Sequence, residues 1–333
     1  MPNMIELVVT PPAGAGARAL DALPAIRRAF ARRPVPLVSA AACEYWFRRF
    51  GVQRQHDWPA AVFRTAGPHP TFQLCADPVH LAINGDAVTL DATASADLTQ
   101  EDAQSLIAHL NAHFAADDMR LSLVGGGEWL LETPRPIAAT TTALFQVHGR
   151  SIETHLPQGR EARLLKRIGN EAQMMLHEAA VNLARQARGQ LPINGLWLWG
   201  GGESCAVAAS NPAMALFSNA THVRGMAMAA GAQVQHLPQD AAALRLDADV
   251  AIRTIDLDAH SIDPHIFPTW LEQTWLRPLE EIAARDALDC QLTLVLPQAT
   301  STARLFERDL LRALRRGGLV ASLKRAGHAM LEE

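Results

Sequence analysis

Leu191-Pro192-Ile193-Asn194-Gly195-Leu196-Trp197-Leu198-Trp199-Gly200-Gly201-Gly202 is the stretch that decides the fold. An apolar run from Gly195 to Trp199 ends in three consecutive glycines and then Glu203-Ser204. A run without polar alternation reads as a buried strand, and the glycines read as a tight turn at its C-terminal end, where backbone must approach another group closely. Trp197 and Trp199 alternate and so share one face, which reads as core or domain-interface packing rather than a stacking platform. The glycines match neither G-x-G-x-x-G nor G-x-x-x-x-G-K-[ST], so a turn is a stronger account than a phosphate cradle.

Upstream of that strand, residues 160–188 carry the longest helical pattern, with Leu164, Leu165, Ile168, Met175, Leu176 and Val181 inside and Gly189 as the stop. Val79 to Leu90 alternates around Asn84-Gly85, a hairpin signal. Thr99 with Asp102 three residues on predicts a capped helix running to about Ala116, with Leu106, Ile107, Leu110 and Phe114 on one face. Met119 to Val124 and Glu128 to Glu132 predict a second pair of strands. At the N-terminus Met4 to Val9 reads as a strand closed by Thr10-Pro11-Pro12, followed by a helix over 13–33 that Pro34 and Pro36 end. Downstream, the pattern predicts a helix near 221–230, strands at 232–237 and 249–256, a helix at 268–287, a strand at 290–296 and a helix at 302–316. Strands alternating with helices predict an α/β fold, a parallel-type sheet with flanking helices, into which an α+β piece is inserted. The expected domains are a core from 1–64 and 190–333 and an inserted domain from 65–189.

Composition narrows the function classes. The chain has 333 residues, 49% hydrophobic and 19% charged, as in an ordinary globular protein. Thirty basic against 34 acidic residues give a net charge of -4, which carries no footprint for nucleic acid. The short basic segments at Arg27-Arg28, Arg32-Arg33 and Arg312 to Arg316 read as solvated faces. The four cysteines, Cys43, Cys75, Cys205 and Cys290, have no C-x-x-C pairing and read as buried free thiols in a reducing compartment. The start MPNMIELVV lacks a basic n-region, and no apolar run reaches the roughly 18–20 residues that span a bilayer. A cytoplasmic protein without a membrane partner is expected.

The span from Phe72 to Glu132, the 160–188 helix and the Asn194-Gly195-Leu196-Trp197-Leu198-Trp199-Gly200 run together resemble the archaeal-type cofactor-independent phosphoglycerate mutases of the alkaline phosphatase superfamily. Ala180-Val181-Asn182-Leu183-Ala184-Arg185 is similar to that family's His-Pro-Val-Asn-x-x-Arg element, and Val223-Arg224-Gly225 to its following helix. The likeness covers roughly residues 70–300, and the shorter RpfE-type bacterial regulatory proteins carry a nearer version of it. The resemblance implies an alkaline phosphatase-like core. It also implies two divalent metals held by carboxylates and histidines, and a Ser or Thr nucleophile, because phosphoryl transfer needs charge neutralised on attacking and leaving oxygens.

Set beside that pattern, the ligand positions are incomplete. Where the family has Asp-Gly after the first strand, this chain has Thr10-Pro11, and Ser39 is the nearby hydroxyl. Where it has Asp-x-x-x-His, Asp256, Asp258 and His260 stand with Asp263 and His265 beyond, a set of O and N donors suited to Mn²⁺ or Zn²⁺. Two readings of that cluster stay open, a metal half-site and a polar loop capping the helix near 268. Where the family has Pro-Asp-His, this chain has Pro297-Gln298-Ala299, and after His265 only His328 remains. Cys75 replaces the arginine of the family's Phe-Arg-x-Asn. Arg185 and Arg188, with Asn194, Gly200 and Gly201, are the candidate contacts to a small anionic ligand; the alternative is that the arginines pair with carboxylates such as Glu178. His148 and His155 have no ligand partners at suitable spacing, His177-Glu178 is not H-E-x-x-H, and there is no G-x-S-x-G elbow. The sequence therefore predicts a catalytically degenerate phosphoglycerate mutase-like protein with a regulatory or ligand-binding role and no resident cofactor. Its expected partner is a small anion or another protein. The competing reading is a metal-dependent mutase or phosphatase with a remodelled site that takes Mn²⁺ or Zn²⁺.

Overall fold

The computed structural model describes residues 4–12, 35–37, 42–65, 67, 69–210, 214–244, 250–260, 262–286, 288–295 and 300–306. In chain order the elements begin β1 (Met4–Thr10), β2 (Val35–Leu37), α1 (Ala42–Arg49), β3 (Phe72–Asn84), β4 (Ala87–Asp91), α2 (Gln100–Phe114), β5 (Arg120–Leu123) and β6 (Trp129–Thr133). They continue with α3 (Leu144–Val147), α4 (Ala162–His177), α5 (Ala180–Ala187), β7 (Gly195–Gly202), β8 (Met214–Phe217), α6 (Thr221–Ala229) and β9 (Gln233–Gln235). Last come β10 (Ile252–Asp258), α7 (Phe267–Trp270), α8 (Arg277–Asp286), β11 (Asp289–Val295) and β12 (Thr300–Phe306). The chain divides into two compact units. One comprises the described residues of Met1–Trp46, Ala209–Ala220 and Ala227–Glu333, the other Phe47–Ala208 and Thr221–Met226.

The first unit is α/β. Its seven-stranded sheet runs β2-β12-β11-β1-β10-β8-β9, parallel from β11 through β9 and antiparallel at β12 and β2. Ile5, Leu7 and Val9 of β1 and Ile255 and Leu257 of β10 point to one face, because alternate residues share a side. There they pack against Leu271, Trp275 and Leu276 of a π-helical turn and Leu279, Ile282 and Ala283 of α8. The opposite parity carries Glu6, Thr254, Asp256 and Thr293, all buried. That polar face positions the candidate metal ligands.

The second unit is built on an antiparallel sheet, β4-β3-β6-β5 with β7 added to β3. The expected hairpin forms from β3 and β4, with Asn84 opposite Ala87. Thr99 Oγ1 accepts the Asp102 N–H at 3.1 Å and caps α2 as its spacing predicts. α2 and α4 lay Leu106, Leu110, Phe114, Leu165, Ile168 and Leu176 on the sheet against Leu74, Trp129, Leu196 and Leu198.

β7 departs from the expected organisation. It is buried at all eight positions, but it pairs antiparallel with β3 rather than joining the parallel sheet. Residues 47–64 and 190–208 therefore lie in the unit with the antiparallel sheet, and the boundaries expected at 64/65 and 189/190 are displaced. The three glycines are strand residues, not a turn, and they let neighbours press on the backbone. A Cβ on Gly202 would stand 2.3 Å from Pro59 Cβ, one on Gly201 2.8 Å from Phe72 Cζ, and one on Gly200, at φ +65°, 2.7 Å from Ala60 Cβ.

Other elements also differ from expectation. The 160–188 helix is broken in two: Ala179 is extended (φ -67°, ψ 127°), and Asn182 Nδ2 donates to the freed Leu176 carbonyl at 2.7 Å. Residues 302–306 are strand, because pairing with β11 and β2 overrides the helical spacing, and the rest of that predicted helix lies outside the described residues. So do the 13–33 helix, Ser39, Gln298, Ala299 and His328. No described helix is long and apolar enough to cross a membrane.

Gly202→Ala is expected to lower the unfolding free energy by about 1–3 kcal/mol through overpacking. Gly169→Ala, on α4 with nothing within 4 Å of the added Cβ, is expected to raise it by about 0.5–1 kcal/mol. Urea titrations of both variants check the contrast, and equal effects would show that the close approach at β7 is not what selects glycine.

Candidate functional site

β10 runs parallel to β1, with Val8 opposite Asp256 and Thr10 opposite Asp258. This brings Asp256 and Asp258 to the C-terminal ends of the strands, where open α/β sheets place their sites. Asp256 is buried, and each of its oxygens accepts a hydrogen bond. Trp46 Nε1 of α1 donates to Oδ1 at 3.1 Å and Ser218 Oγ, just past β8, donates to Oδ2 at 2.7 Å. Desolvation pushes its carboxyl from the usual 3.8 up to about 7, against the pull of those donors. The neighbouring buried carboxylate, Glu6, accepts from Thr254 Oγ1 at 3.2 Å and from the Tyr45 hydroxyl at 3.4 Å. α1 therefore places two hydrogen-bond donors, Tyr45 and Trp46, over the polar face of the sheet.

The rest of the predicted cluster turns onto itself. Asp258 Oδ1 bonds the His260 ring Nδ1 and accepts the His260 backbone N–H at 3.0 Å. Asp263 Oδ1 accepts the His265 N–H at 2.8 Å, and the Asp263 carbonyl accepts from Phe267 N at 2.9 Å, an arrangement that starts α7. Among the described residues, no three His, Cys, Asp or Glu side chains come together in a way that could hold a metal ion.

In the second unit the predicted ligand residues bond to the protein's own backbone and carboxylates. Arg185 is fully buried; its Nε donates to the Leu191 carbonyl at 3.0 Å, and Nη2 to the Ala94 carbonyl at 2.9 Å and to Asp97 at 2.6 Å. Arg188 is exposed and pairs with Asp102 at 3.4 Å. Asn194 holds both backbone groups of Leu81, at 2.6 and 3.0 Å. Gly200 N donates to Thr141 Oγ1 at 2.9 Å, and Gly201 packs on Phe72 and Leu74. The carboxylate partners of the arginines are thus Asp97 and Asp102, not Glu178.

A group that sequence reasoning missed lies at the centre of this unit. Arg64 forks onto Asp77 through Nη1 (2.6 Å) and Nη2 (2.9 Å), Nη1 also reaches the Trp129 carbonyl at 3.2 Å, and Glu128 lies 3.6 Å from Nε. Trp199 Nε1 donates to the same Asp77 at 2.6 Å, and its ring centroid is 5.2 Å from the Arg64 guanidinium carbon. Burial opposes the guanidinium charge, but Asp77, with Glu128 nearby, outweighs it and holds Arg64 above its ordinary value. The same burial drives the Cys75 thiol well up. Asp77 sits where the resemblance puts the asparagine of Phe-Arg-x-Asn, but nothing near Arg64 in the sequence marks it as the partner.

No protein-family model matches the chain. A probable 2,3-bisphosphoglycerate-independent phosphoglycerate mutase of Geobacter sulfurreducens is 31% identical over 99 residues, 28% of this chain and 25% of that protein. A 2,3-bisphosphoglycerate-independent phosphoglycerate mutase of Methanothrix thermoacetophila is 31% identical over 118 residues, 35% of this chain and 28% of its own length. This chain resembles the cofactor-independent phosphoglycerate mutases. The match spans only about a quarter of those relatives' length. In fold, the PH0037 protein of Pyrococcus horikoshii superposes with a TM-score of 0.52 at 14% identity, over 91% of this chain and 87% of that one.

Phosphoglycerate mutases of this type imply divalent metals, and the described residues do not fit them. A dication needs open, anionic oxygens. Asp256 offers a single buried carboxylate whose two oxygens already accept from Trp46 and Ser218, and no third donor joins it and Asp258 among the described residues.

Two outcomes are expected. The folded chain holds the Asp256 proton more tightly than the unfolded chain, so unfolding free energy should fall as pH rises from 3.8 towards about 7. Asp256→Asn should flatten that part of the profile, and a parallel profile in the variant would assign the titration elsewhere. Arg64→Ala, which leaves Asp77 buried and unpaired, should cost about 3–5 kcal/mol in urea unfolding.

Proposed function

We propose that this chain is a phosphoglycerate mutase-like protein that has lost the family's metal-dependent phosphoryl transfer and acts by binding a small anionic ligand or a protein partner in a regulatory role. The observation that carries this reading is the closed hydrogen bonding of Asp256. The one carboxylate at the expected ligand position that is deeply buried is occupied by an indole N–H and a hydroxyl instead of facing open space. Thr10 at the end of β1 supports it, since a hydroxyl stands there in place of the family's first anionic ligand and its carbonyl accepts from Ala259 N at 3.0 Å. A hydroxyl at Thr10 cannot answer charge on the transferring phosphoryl oxygens as an anionic metal ligand there would.

The competing reading keeps a remodelled centre at Asp256, Asp258, His260, Asp263 and His265 and retains mutase or phosphatase turnover. It draws on the placement of Asp258 and His260 beside Asp256 at the strand ends. Elemental analysis separates the two. Full-length chain purified without chelator, soaked in Mn²⁺ and desalted should retain well under one ion per chain and show background turnover of 3-phosphoglycerate. Two firmly held ions with turnover above background would overturn the degenerate reading.

A further inference from the structure

We draw no further inference here: the strongest candidate, the exposed apolar face of α5 formed by Ala180, Leu183, Ala184 and Ala187, has nothing in the structure to show what covers it, and Arg188 at its end is already paired with Asp102.

Discussion

A guanidinium held out of water governs the antiparallel unit. Desolvating a charge costs several kcal/mol unless partners answer it, and the partners of Arg64 come from three strands: Asp77 on β3, the Trp129 carbonyl on β6, and the Trp199 ring and Asp77-bound indole on β7. Each of those contacts fixes a register. Cys75 lies opposite Trp199 and Asp77 opposite Trp197, and a slip of one residue would turn Trp199 to the other face and leave Asp77 without its third donor. The buried pair is weak evidence for net stability, but it makes the alternative pairings of β7 expensive.

The same strand end explains the glycines. Side chains there would collide with the loop carrying Pro59 and Ala60, and that loop is also fastened to β7 by polar contacts. Gln55 bonds both backbone groups of Glu203, at 2.8 and 3.0 Å, and Thr141 links Asp57 to Gly200 N. Backbone in close approach needs its hydrogen bonds satisfied locally, and small residues with amide and hydroxyl neighbours meet both demands.

What the sequence disclosed follows from the range of the forces involved. Asn84-Gly85 and Thr99-Asp102 announce a hairpin and a helix start because turn and cap chemistry acts within a few residues. β7 was legible as buried but not as antiparallel: a strand covered on both faces loses the alternation that normally distinguishes the two sheet types. The strand at 300–306 was masked by helical spacing, since its conformation is set by β11 and β2 on either side. The pairs Arg64–Asp77 and Arg185–Asp97 join residues 13 and 88 positions apart, and Trp46 reaches Asp256 across 210. No periodicity connects such positions, so Arg185 looked as suited to a ligand as to the carbonyls it braces.

Asp256 shows how that distance matters for function. Its position at the end of a parallel strand is one that the resemblance picked out, and a cation there would be expected to stabilise the ionised carboxylate. The groups that meet it instead are a neutral indole and a neutral hydroxyl, supplied by α1 and the residue after β8. Neutral donors recover only part of the hydration that burial removes, and Asp258 nearby adds like charge, so the carboxyl is held above its ordinary range. A group in that state serves the sheet as a buried hydrogen-bonding side chain.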